Sequence, residues 1–201
     1  SGGLVGSEMC IRDSSIGALT IAPSDKNILW VGTGEGDPRN SVGYGWGVYK
    51  SIDGGISWKH LGLKNTERIK RIVVDPKDPN VACVCALGKE WGPNKERGVF
   101  KTIDGGKTWE KIHYIDENTG GADIAMETNN PRIMYAGMWT FRRKPWRFDD
   151  GGKNTALYRT MDGGQTWKKI MNGLPNKDMA RPGVHIAQSE PNIVYLMTEF
   201  E

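Results

Sequence analysis

A pattern of eight residues, Ser/Thr-x-Asp-Gly-Gly-x-Ser/Thr-Trp, occurs three times in the chain and constrains its fold more than any other feature. The aspartates of the three copies are Asp53, Asp104 and Asp162, which lie 51 positions (53 to 104) and 58 positions (104 to 162) apart. A four-stranded blade of a propeller takes roughly 40 to 50 residues, to which loop insertions are added. The spacing therefore predicts a tandem array of blades.

Each copy of the pattern lies between two short runs of residues that favour strands, such as residues 48–50 before the first copy and 58–61 after it. Two such runs joined by Asp-Gly-Gly predict a β-hairpin. Glycine tolerates positive φ, the carboxylate accepts bonds from turn amides, and the hydroxyl and indole offer further local contacts. The predicted structural residues are Asp53, Gly55 and Trp58, Asp104, Gly106 and Trp109, and Asp162, Gly164 and Trp167.

The pattern is identified as the Asp-box, or BNR repeat, of sialidases, xyloglucanase-like glycosidases, sortilin-type receptors and photosystem assembly factors. Residues 30–35, 47–51, 142–146 and 157–160 most resemble bacterial envelope proteins named as sortilin-like or as BNR-repeat glycosyl hydrolases. The resemblance covers almost all of residues 15–201. It implies an all-β propeller with blades of four antiparallel strands. It also implies an extracellular, periplasmic or envelope location, and either ligand binding or glycoside hydrolysis.

The sequence divides into about three and a half blades, at residues 15–63, 69–115 and 122–174, with an incomplete blade at 184–201. Propellers close with about four to eight blades, so we interpret the chain as a fragment whose first partner is the rest of its own propeller. Residues 1–14 fit no blade and are expected to be a non-native leader.

Composition excludes several classes of function. A net charge of +3 is too small to predict binding to nucleic acid, and no apolar run approaches the ~20 residues that span a bilayer. No metal or cofactor is expected, because the three histidines share no spacing and the Cys83–Cys85 pair lacks a second ligand pair. These two cysteines are interpreted as small buried apolar side chains.

The alternation of strand direction separates two faces of the array. With the strands of a blade labelled A to D from the inside outward, the A-to-B turns and the Asp-boxes emerge on one face. The B-to-C loops, predicted at residues 34–46, 88–97 and 139–152, emerge on the opposite face and mix aromatic with charged residues. Binding or catalysis is expected there. The candidate ligand-binding residues are Glu35, Arg39, Trp46, Trp91, Arg142, Arg143, Trp146 and Arg147.

Three functions stay open from the sequence. The first is a non-catalytic domain that binds a glycan or a protein. The second is a glycosidase, which needs two carboxylates about 5 Å or about 6.5 to 9.5 Å apart; Asp37 and Glu90 from neighbouring loops are the candidate pair. The third is a purely structural array, in which the charged loop residues bond their own backbone or water. The Asp-box aspartates are expected to act in turns, because one residue per outer hairpin cannot converge on a single substrate.

Overall fold

The computed structural model describes residues 14–200, so the predicted leader lies outside the described residues except for Ser14. The first sheet pairs its strands in chain order: β1 (Ile16–Ala22), β2 (Asp25–Thr33), β3 (Val48–Ser51) and β4 (Lys59–His60). The second sheet does the same with β5 (Ile69–Val74), β6 (Ala82–Ala86), β7 (Gly98–Thr102) and β8 (Glu110–His113). Both are antiparallel meanders of four strands.

The third sheet repeats this arrangement with one added strand. It comprises β9 (Thr119–Met126), β10 (Met134–Lys144), β11 (Arg147–Asp150), β12 (Ala156–Thr160) and β13 (Lys168–Ile170). A fourth sheet holds β14 (Gly183–Ile186) and β15 (Val194–Met197). Within residues 14–200 the single helical element is the 3₁₀ turn Lys64–Thr66, and no helix is long and apolar enough to cross a membrane. The prediction of an all-β propeller built from four-stranded blades is confirmed.

The core lies between successive sheets, which explains why β6 is buried along its whole length. Because side chains alternate across a strand, Ala82, Val84 and Ala86 pack toward the first sheet, whereas Cys83 and Cys85 pack toward the third. Both cysteines are free and fully buried, as the sequence predicted. Burial raises the pKa of the Cys83 thiol to about 12, so it behaves as an apolar side chain.

Each Asp-box closes the turn between the third and fourth strands of a blade, and the second box shows the geometry. Asp104 accepts hydrogen bonds from the amide of Thr108 at 3.0 Å and from its hydroxyl at 2.6 Å. The hydroxyl of Thr102 donates to Asp104 at 2.8 Å and accepts from the amide of Gly106 at 2.9 Å. In the first box, equivalent bonds, led by that from the Ser57 hydroxyl, lower the pKa of Asp53 to about 2.

The indole of an Asp-box also joins neighbouring blades. Trp109 Nε1 donates to the carbonyl of Leu61 in the first blade at 2.7 Å, and Trp167 Nε1 donates to that of Ile112 in the second blade at 2.9 Å. Each acceptor lies three positions after the tryptophan of its own box. The box therefore links neighbouring blades in addition to closing the turn within its own blade.

Hydrogen bonds between turns put the Asp-boxes and the A-to-B turns on one face. The amide of Gly105 in the second box donates to the carbonyl of Asn80 at 2.9 Å. Gly54 makes the same bond to Asn27, and Gly163 makes it to Arg132, both at 2.9 Å. We call this side of the array the Asp-box face. The B-to-C loops are carried on the opposite side, which we call the loop face.

The third B-to-C connection differs from its prediction as a loop over residues 139–152. Strand β10 continues through it to Lys144, turns at residues 145–146 and returns as β11. The reason is alternation: Trp139 and Phe141 both face inward and stack with ring centroids 4.3 Å apart, and Phe148 packs against them from β11. This small core makes a rigid hairpin of a segment whose basic residues suggested a loop.

Candidate functional site

A cavity of about 700 Å³ lies where the first strands of the four sheets converge. Strand β1 contacts β5, β5 contacts β9, and β9 contacts β14, so these four strands form its wall. In β1, β5 and β14 the lining residues lie at the beginning of the strand, away from the A-to-B turns. The cavity therefore opens toward the loop face. The first strands contribute Gly17, Lys70, Arg71, Ala122, Asp123 and Gly183.

Asp37 lies at the rim of this cavity and bonds to residues of two other sheets. Its Oδ1 atom lies 2.8 Å from Nζ of Lys70 on β5 and 2.8 Å from Nη1 of Arg181, which precedes β14. The hydrogen bond from Lys70 and, after it, the bond from Arg181 lower the pKa of the Asp37 carboxyl. Its neighbour Pro38 lines the cavity. The B-to-C loop of the first blade is thus tied to the second and fourth sheets by one ionised carboxylate.

An aromatic wall faces the cavity from the third blade. Trp139 and Phe148 both line it, and Nε1 of Trp139 donates to Oδ1 of Asp150 at 2.6 Å. The guanidinium carbon of Arg181 lies 5.5 Å from the centroid of the Trp139 ring. Aromatic, acidic and cationic groups therefore share one compartment, and the hydrogen bond to Asp150 fixes the indole within it.

The structure does not bring Asp37 and Glu90 together as facing carboxylates. Glu90 is fully buried, forms an ion pair with the equally buried Arg68, and has Nε of Arg143 3.8 Å from its second oxygen. Arg68 and Arg97 lie over the ring of Phe141, at 5.1 and 4.2 Å from its centroid. Burial lowers the pKa of Arg97 to about 9. Glu90 compensates buried positive charge and does not line the cavity.

Three further candidates bond within their own segments. Glu35 pairs with Nε of Arg39 at 2.5 Å and accepts from the amide of Gly43 at 3.2 Å, so it closes its own glycine-rich loop. The pair lowers the pKa of Glu35. Arg147 pairs with Asp149 on the same strand.

The arginines and tryptophans among the candidates lie outside the cavity lining. Arg142 donates to the side chain of Asn118, and Arg143 lies 4.7 Å from the Phe148 ring. Three tryptophans are partly or largely exposed on the loop face: Trp46, whose ring lies 3.9 Å from Nζ of Lys64, Trp91 and the hairpin-tip residue Trp146. The exposed tryptophans can contact a large ligand at its periphery.

Sequence reasoning missed the residues that define the cavity. Lys70, Arg71 and Asp123 lie on first strands, and Arg181 lies in a connection between blades, whereas the sequence predicted binding residues in the B-to-C loops. A usable signal was present. Lys70 and Arg71 are the second and third residues of β5. The innermost strand of a blade borders the central channel of a propeller, so charged residues on it are candidates for contact with a ligand there.

Blades whose first strands surround a common cavity, and whose outer hairpins are closed by Asp-boxes, define a β-propeller of the Asp-box type. A family model described as Sortilin-Vps10 (sortilin, neurotensin receptor 3) matches residues 47–199. The chain belongs to this family.

Relatives with known activities and structures are similar to parts of the chain. The xyloglucanase Xgh74A of Acetivibrio thermocellus is 30% identical over 136 residues, which are 63% of this chain and 14% of that enzyme. An ancestral GH74 enzyme matches 91% of this chain and 22% of its own with a TM-score of 0.65 at 20% identity. The GH74 xyloglucanase of Xanthomonas campestris matches 92% and 27% with a TM-score of 0.60 at 17% identity. These structural matches establish the propeller fold.

Proposed function

We propose that this propeller segment binds a glycan through the cavity and the surrounding loop face, and does so without hydrolysing it. The observation that carries the proposal is the cavity of about 700 Å³ with the partly buried Phe148 on one wall, the buried Trp139 behind it, and Asp150 and Arg181 beside them. Sugar rings present apolar C–H faces together with hydroxyl groups, so they need this mixture of surfaces. The volume falls within the usual range of ligand sites.

The arrangement of carboxylates favours binding over hydrolysis. A glycosidase needs one protonated carboxyl as the acid and one free carboxylate as the base or nucleophile. Asp37 is held ionised by Lys70 and Arg181, and Asp150 accepts from the indole of Trp139. Both carboxylates are already engaged in positioning protein groups, as is Asp123, which accepts from the amides of Ile124 and Val184. Glu199 also lines the cavity, and its carboxylate forms no bond within residues 14–200.

Hydrolysis is the second candidate function, favoured by the 30% identity to a xyloglucanase. In that case Asp37 is the carboxylate at the cavity rim to test first. Both functions require contact with polysaccharide. We therefore propose a secreted or cell-envelope location. A protein ligand on the same face is the remaining alternative for the exposed tryptophans.

Calorimetric titration of the purified chain with xyloglucan oligosaccharides and other neutral oligosaccharides tests the proposal. We expect saturable binding that Arg181→Ala and Asp150→Ala each weaken by about tenfold, the loss typical of a central contact. Lys77→Ala, an exposed change on the Asp-box face, is the matched control and leaves affinity unchanged. Thermal unfolding of each variant checks that the fold is retained.

The same preparations decide between the alternatives. Release of reducing sugar that disappears in Asp37→Asn would establish hydrolysis and overturn the non-catalytic proposal. If no glycan binds, the proposal is wrong. A partner protein lost on Trp146→Ala would then assign the loop face to protein binding, and the absence of both would leave a structural array.

A further inference from the structure

The second position of every Asp-box carries a large apolar side chain that faces solvent. Ile52, Ile103 and Met161 are 71%, 69% and 61% exposed, whereas the hydroxyl residue before each is buried. The hydrogen bonds of the box use the first, third, fifth and seventh residues, so the turn itself does not require an apolar second residue. Single exposed apolar residues are ordinary, but a cluster of them marks an interaction surface.

Two of these side chains line one groove. It has a volume of about 610 Å³ and runs between the first and second boxes, with Ile52, Trp58, Leu61 and Ile103 as its apolar lining. The second box is seated directly on the first blade, because a Cβ atom at Gly106 would lie 2.5 Å from Cδ1 of Leu61. The Trp109–Leu61 hydrogen bond fixes the same joint. The two blades that flank the groove are therefore held against each other by direct contact and by a hydrogen bond.

The groove carries an excess of positive charge. Its acidic residues are engaged locally, Asp104 in its own turn and Asp78 with the amide of Asn80 at 2.9 Å. Nζ of Lys50 lies 3.2 Å from the side-chain oxygen of the same asparagine. Lys59 and Lys107 line the groove, are exposed, and form no ion pair within residues 14–200.

We propose that this groove docks a short acidic and aliphatic segment of a partner protein. Aliphatic side chains of the segment occupy the space between Ile52 and Ile103, and flanking carboxylates pair with Lys59 and Lys107. The partner's chemistry follows from complementarity, since apolar lining with free ammonium groups at its edge selects apolar residues next to acids. The groove lies on the Asp-box face, so this site is independent of the proposed glycan cavity.

Fluorescence anisotropy with three labelled peptides tests the proposal. The cores are Glu-Leu-Asp-Ile-Glu, the basic counterpart Lys-Leu-Lys-Ile-Lys and the polar counterpart Glu-Ser-Asp-Ser-Glu, each between identical Gly-Ser flanks. We expect saturable binding below about 1 mM for the first alone. Its affinity falls as salt rises, because exposed charges are screened.

Variants locate the binding on the protein. Ile103→Ser and the double change Lys59→Glu with Lys107→Glu each weaken the acidic–aliphatic peptide by about tenfold or more. Met161→Ser is the matched control, since it changes the same box position outside the groove, and it leaves binding unchanged. All four side chains are exposed, so folding is retained and is checked by thermal unfolding. Failure to saturate, equal binding of the basic peptide, or an equal loss in Met161→Ser would each overturn the proposal.

Discussion

The amide of Val184 donates a 3.0 Å hydrogen bond to Oδ2 of Asp123, which ties β14 to β9 at the wall of the cavity. The other oxygen of this carboxylate accepts from the amide of Ile124 at 2.9 Å and lies 3.4 Å from Nε of Arg71 on β5. One side chain thus connects the first strands of three successive sheets. A comparable bond, from the hydroxyl of Thr20 to the carbonyl of Ile72 at 2.8 Å, ties β1 to β5.

Replacing the connecting carboxylate should loosen these strands. We expect Asp123→Ala to lower the free energy of unfolding by about 2 kcal/mol, because charge-assisted hydrogen bonds are lost and an amide is left without its acceptor. Asp123→Asn keeps an oxygen for Val184 and should cost less. Urea unfolding measures both changes, and equal stability of Asp123→Ala and the unsubstituted chain would contradict the role.

Substitution of Glu90 and of Asp37, the candidate catalytic pair, should lower the free energy of unfolding by different amounts. Glu90→Gln leaves the buried Arg68 without its counter-charge and should cost about 3 kcal/mol or more. Asp37→Asn removes the ion pairs with Lys70 and Arg181, but the aspartate is 68% exposed, so the change should cost less than about 1 kcal/mol. Chemical denaturation of both variants gives the comparison, and similar losses would show that burial does not distinguish them.

The hydrogen bonds from Asp-box indoles to the preceding blade should contribute to the stability of the fold. Trp109→Phe removes the donor to Leu61 and leaves a carbonyl unsatisfied, at a cost of about 1 kcal/mol in addition to the loss of packing area. Trp58→Phe is the matched comparison, because this indole donates to the carbonyl of Gly55 in its own turn at 3.1 Å. Thermal unfolding should give the larger decrease for Trp109→Phe, and the reverse order would refute a joint across blades.

Acid should destabilise the fold through His113. Its ring stacks on Trp167 with centroids 4.8 Å apart, and burial lowers its pKa from 6.5 to about 4. The unfolded chain therefore binds the proton more tightly. This contribution to stability is complete above pH 6.5 and is lost as the pH falls to about 4, amounting to about 3 kcal/mol.

The contribution is measured as a difference between variants. His113→Phe should flatten the dependence of unfolding free energy on pH between 6.5 and 4, whereas His185→Gln, at an exposed histidine, should leave it unchanged. An unchanged pH profile in His113→Phe would exclude this residue as the source.

Local spacing was sufficient to predict the blades, the box hairpins and the two faces, because each depends on residues close together in the chain. The cavity depends on contacts that spacing does not contain. Asp37 meets Arg181 across 144 positions, and Glu90 is buried against Arg68, which lies 22 positions earlier in a connection between blades. The third B-to-C segment was predicted as a loop because of its basic residues. The alternation of Trp139 and Phe141, which both face inward, is what makes it a strand.

The hydrogen bond from each box indole to the blade before it has a consequence for how such arrays grow. Every complete repeat brings its own donor and, three residues later, presents the acceptor for the next repeat; Leu61 and Ile112 occupy that place, and Ile170 is its equivalent in the third. A duplicated or deleted repeat carries both halves of the coupling with it. The number of blades can therefore change by recombination while this hydrogen bond is kept at each new junction between repeats.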